Sequence, residues 1–92
     1  MNAIERAQRA KAILEDPIYQ EAWDMTRMRL IESLEALSVE ESAKAEDYRK
    51  CLKMLKGVRI NLETMLNSGK LEAFRLEEAR KRRDNPLRGI FR

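Results

Sequence analysis

The chain has 92 residues, 38% of them charged, 43% hydrophobic and 5% aromatic, with only 3 glycines and 2 prolines. That leaves room for one domain near the lower limit of an independent core. So few turn residues exclude a β-sandwich and point to helices. The net charge of +3 conceals an asymmetry: residues 1–69 carry 11 basic and 12 acidic side chains, whereas residues 70–92 carry 8 basic and 4 acidic ones. Attraction to phosphate or to an acidic partner therefore belongs to the C-terminal part.

Asn2 with Glu5 forms a capping box that opens a helix over 3–15, with Ile4, Ala7, Ala10, Ile13 and Leu14 on one face. Asp16 followed by Pro17 reads as an N-cap and a proline at the first helical position. The residue before proline disfavours the α region, so the chain bends there. A second helix is expected from Pro17 to about Leu37. Ile18, Ala22 and Met25 form one of its stripes, and Trp23, Leu30, Leu34 and Leu37 a neighbouring one. Together they make an apolar arc broader than the seam of a simple dimeric coiled coil. Arg27, Arg29, Glu32 and Glu35 are the solvated remainder, at spacings that include surface ion pairs.

The polar run Ser38-Val39-Glu40-Glu41-Ser42 is a short connection, and a short connection between long helices implies an antiparallel helical hairpin. The third helix, 42–67, carries the main apolar stripe of the chain: Ala45, Tyr48, Cys51, Leu52, Leu55, Val58, Leu62, Met65 and Leu66. Steps of three and four place them on one side of a helix, which must be buried against something. Gly57 lies inside this helix as a tolerated surface glycine or a point of close helix approach. Asn67-Ser68-Gly69 reads as a stop, with Gly69 suited to the C′ position. A fourth helix over 70–83, or a continuation beyond a kink, ends at Asp84-Asn85-Pro86. The chain thus divides into a helical domain, 1–83, and a C-terminal segment, 84–92.

Catalysis finds little footing. There is no histidine, so the commonest general base near neutral pH is missing. The serines have no nucleophile-elbow context, and the adjacent pairs Glu40/Glu41 and Glu77/Glu78 point in different directions on a helix. Nothing resembles a cluster of metal ligands or a glycine-rich phosphate loop, so no enzyme, cofactor or metal is expected. The single cysteine, Cys51, lies on the apolar stripe and reads as a small core residue that needs no oxidising compartment. No run approaches a membrane span and the N-terminus has no signal-peptide core, so a soluble intracellular protein is expected.

Three sets of residues suit partners. Arg75, Arg80, Lys81, Arg82 and Arg83 cluster near a helix C-terminus, where they complement the helix dipole and are also placed to contact phosphate. Leu87, Arg88, Ile90, Phe91 and Arg92 form an apolar and basic tail suited to fold back on its own groove or to dock on a neighbour. Tyr19, Trp23 and Met28 form a core or, if exposed, an anchor set for assembly.

The runs Glu5–Trp23 and Gly57–Leu71 resemble small, largely uncharacterised helical proteins encoded among the head and packaging genes of tailed bacteriophages. The resemblance covers a third to a half of the chain and implies a setting without catalytic residues. It implies a non-enzymatic structural or assembly protein, in host cytoplasm during assembly and retained in the virion if it is a structural part. Its partners would be further copies of itself or other phage structural proteins. The alternatives are a packaging factor resembling a small terminase subunit, holding nucleic acid through the arginine cluster, and an inhibitor of a host protein. The expected fold is all-α: a long antiparallel hairpin of the second and third helices, with the N-terminal helix and the segment after Gly69 packed at its ends.

Overall fold

A computed structural model describes residues 1–84 as three helices with no strand among the described residues. These are α1 (Ala3–Glu15), α2 (Pro17–Glu35) and α3 (Ser42–Asp84), of 13, 19 and 43 residues. The all-α expectation holds.

The local signals act as expected in the first half. Asn2 Oδ1 accepts from the Glu5 amide at 2.8 Å and caps α1. Asp16 has extended backbone, and its Oδ1 accepts from the amides of Ile18 (2.8 Å) and Tyr19 (3.2 Å), which starts α2. One aspartate thus ends the first helix and caps the second.

The expected stop at Asn67-Ser68-Gly69 does not operate. α3 runs through it unbroken to Asp84, so the third and fourth helices are one. No glycine among the described residues has positive φ, so Gly69 is not a left-handed cap. It is buried instead, because α1 crosses it: a Cβ built on Gly69 would overlap that of Ala7 and stand 2.8 Å from the Ala3 carbonyl oxygen. Gly57, the other glycine within α3, has nothing within 4 Å of the same position. Close helix approach is real, but it falls at Gly69.

Both N-terminal helices line α3. Ala7 meets Gly69, and Trp23 meets Leu55 further back along α3. Small residues let α1 lie closer to α3 than α2 does, whose Tyr19, Trp23 and leucines hold it off. The core is correspondingly thin: among the described residues only Ala7 and Ala10 are buried hydrophobics, at 6% and 2% exposure.

The seam itself is narrow. On α3 the half-buried residues Ala45, Tyr48, Leu52, Leu55, Leu62 and Leu66, followed by Gly69, alternate in steps of three and four, with Arg59 filling the remaining place. Cys51, Val58 and Met65, seven residues apart on one flank of the expected stripe, are exposed. The core reading of Cys51 is therefore corrected. The reason is geometric: α1 and α2 follow one another along α3, so one helix faces it at any level and covers only a coiled-coil-width seam. The same limit leaves Ile13 on α1 and Ile18, Ala22 and Met25 on α2 exposed.

The shape is a rod, 73 × 27 × 19 Å, with a radius of gyration of 21.6 Å. A compact chain of this length would have about 12 Å. Beyond Gly69, α3 outruns the start of α1. There Leu71, Phe74 and Leu76 are 52%, 63% and 54% exposed.

Candidate partner-binding site

A groove of about 610 Å³ runs between α2 and α3. Trp23 and Ile31 of α2, with Leu52, Leu55 and Ile60 of α3, form its apolar lining. Trp23 is held in place at three points. Its Nε1–H donates to the Leu55 carbonyl at 3.2 Å, the ring is half-buried, and the Arg59 guanidinium stacks over it at 4.9 Å from the ring centre. Arg59 in turn reaches Glu63 at 3.7 Å.

The rim of the groove is basic: Arg27, Lys53, Lys56 and Arg59 stand against a single carboxylate, Glu63. Arg27, Lys53 and Lys56 make no ion pair among the described residues. Apart from Arg59–Glu63 on the rim itself, the ion pairs among the described residues lie elsewhere, such as Lys11–Glu15 and Lys50–Glu46 at 4.0 Å. Arg27, Arg29, Glu32 and Glu35 are exposed as expected, but they do not pair with one another.

A second surface lies on α2 away from α3. Met25 and Met28 protrude there, 47% and 49% exposed, flanked by Glu21, Asp24 and Glu32, with Arg29 as the one cation. The anchor set named in the sequence is therefore divided. Tyr19 and Trp23 turn toward α3 and are half-buried, while Met28 faces solvent. The Tyr19 hydroxyl is buried without a hydrogen-bond partner among the described residues.

The C-terminal arginine cluster is largely occupied within its own helix. Arg80 binds Glu77 at 2.6 Å and Asp84 at 3.4 Å. Lys81 lies 3.8 Å from Glu78, and Arg83 lies 3.9 Å from Asp84. The Arg80 hydrogen bond, then its charge, holds the Glu77 carboxyl below its ordinary value, and the same bond raises the Arg80 guanidinium. Arg75 and Arg82 make no ion pair among the described residues, so the five cations do not form one unopposed phosphate site. The docking residues Leu87, Arg88, Ile90, Phe91 and Arg92 lie outside the described residues, as does all of the 84–92 segment except Asp84, which closes α3.

Among the described residues no group of His, Cys, Asp and Glu side chains is placed to hold a metal ion. No helix there is long and apolar enough to cross a membrane. The groove, with its aromatic wall and cationic rim, was not foreseen in the sequence. Its signal was the basic set Lys53, Lys56 and Arg59 at helical spacing, opposite Arg27. No protein-family model, curated protein or solved structure matches the chain.

Proposed function

We propose that this chain is a non-enzymatic structural or assembly subunit of a tailed phage, working through helix–helix contacts along an antiparallel helical rod. The observation that carries the reading is the mismatch between a 43-residue helix and the thin cover it receives within the chain. Leu71, Phe74 and Leu76, with Cys51, Val58 and Met65, are left in water. Exposed apolar surface on this scale marks an interaction surface in a small chain. The phage setting rests on the sequence resemblance of the runs 5–23 and 57–71. In this reading the rod supplies stiffness, and Leu87, Ile90 and Phe91 with Arg88 and Arg92 dock on a neighbouring protein.

The test is light scattering on the purified full chain over a concentration series, followed by co-purification with phage structural proteins expressed together with it. Concentration-dependent association, or a stable complex with a structural protein, is the expected result. A monomer at every concentration that retains none of those proteins would overturn the proposal.

A further inference from the structure

The groove and the outer face of α2 have complementary features. The acidic flanks of that face run from Glu21 to Glu32, and the α3 wall of the groove runs from Leu52 to Glu63. Each spans eleven helical steps, about 17 Å. The groove offers three cations that make no ion pair among the described residues, Arg27, Lys53 and Lys56. The ridge offers three carboxylates in the same condition, Glu21, Asp24 and Glu32. Between those carboxylates Met25 and Met28 protrude, flexible apolar side chains suited to a groove lined by Trp23, Ile31 and Leu52.

We propose that the groove between α2 and α3 receives the α2 outer ridge of a second copy of this chain. Met25 and Met28 enter the apolar trough, while Glu21, Asp24 and Glu32 meet Arg27, Lys53 and Lys56. Oppositely charged flanks fix the register and speed encounter, and the methionines supply the apolar burial. The chain's own C-terminal segment is a poorer occupant: residues 85–92 contain Arg88 and Arg92 and no Asp or Glu, so they repeat the sign of the rim. The inference rests on the assembly reading above and names the surfaces through which copies meet.

Two variants of the full chain separate the surfaces. Lys53→Glu with Lys56→Glu reverses the rim, and Met25→Asp with Met28→Asp spoils the ridge. All four positions are exposed, and circular dichroism checks that each variant keeps its helices. Light scattering should find the wild type associating, more weakly at high salt, and each variant weakened about tenfold or more by repulsion or lost burial. An equimolar mixture of the two should restore a complex, because the first keeps an intact ridge and the second an intact groove. Wild-type association that neither variant weakens would overturn the groove–ridge contact and leave the assembly reading standing. Failure of the mixture to associate would also overturn the pairing. A wild-type monomer at all concentrations would defeat self-assembly itself. A monomer that retains DNA through Lys53 and Lys56 would reassign the groove to nucleic acid.

Discussion

Gly57 and Gly69 allow one substitution to be tested with opposite expected signs in the same helix. Replacing either by alanine removes the penalty of a glycine in a helix interior, a gain of about 1 kcal/mol. At Gly57 the new methyl meets nothing within 4 Å, so the gain stands alone. At Gly69 it overlaps the Cβ of Ala7 and comes to 2.8 Å from the Ala3 oxygen. A carbon–oxygen contact needs about 3.3 Å or more, and the oxygen belongs to backbone that cannot rotate aside. α1 must therefore retreat along Ala3, Ala7 and Ala10, the closest-packed part of the molecule. Overpacking of this kind costs up to about 3 kcal/mol, which leaves a net loss of about 2 after the helix gain. At roughly 4–8 °C per kcal/mol for a chain of this size, the variants should melt about 12–24 °C apart. Thermal unfolding followed at 222 nm, at one fixed concentration, measures this, and amide exchange localises the loss to α1. If Gly69→Ala raises Tm as much as Gly57→Ala, α1 does not pack on Gly69 and the fold described here is wrong.

Asp16→Ala removes the acceptor of two amides at the start of α2, so Tm should fall by the equivalent of about 1 kcal/mol, while Asp16→Asn should retain most of the stability. Trp23→Phe loses the hydrogen bond to Leu55 and part of the Arg59 stacking, together about 1–2 kcal/mol. Tyr19→Phe removes no hydrogen bond within the described chain and should leave Tm unchanged or higher, so a fall as large as that of Trp23→Phe would refute the placement of Tyr19. Glu77 has a folded pKa held below its unfolded value, so its support for the end of α3 is present above the ordinary carboxylate range and is lost as pH falls through the lowered value. Amide exchange over 77–84 should rise on acidification in the wild type and change less in Glu77→Gln; equal rises in both would remove the role of the Glu77–Arg80 pair.

The parts of the fold legible in the sequence are those governed by neighbours along the chain. Asn2 with Glu5, and Asp16 with Pro17, set helix ends through hydrogen bonds that span two or three residues. Periodicity likewise placed Leu52, Leu55 and Leu62 on the covered side of α3. Gly69 misled because a glycine has two opposite uses, a left-handed cap and a seat for an approaching backbone, and its own residue gives no sign of which applies. The deciding partner, Ala7, lies 62 positions away. Cys51 misled for a related reason: periodicity reports how wide an apolar stripe is, and only the facing element decides how much of it is covered.

The candidate site was less legible, since it depends on two helices at once. Lys53 and Lys56 read alone as ordinary solvated charges, and Trp23 reads alone as core. They become one groove only when the Leu55–Trp23 bond sets α2 against that level of α3. The thin core gives this arrangement a further consequence. With two buried hydrophobic residues among those described, the rod has little apolar burial of its own, so covering the groove and the 51–58–65 flank would add a large fraction of the total. Stability and association should therefore be coupled by mass action, with Tm rising as protein concentration rises. A Tm independent of concentration in a chain that keeps its helices would mean that the seam between α3 and its two short partners is sufficient alone, and the case for a second copy in the groove would fall with it.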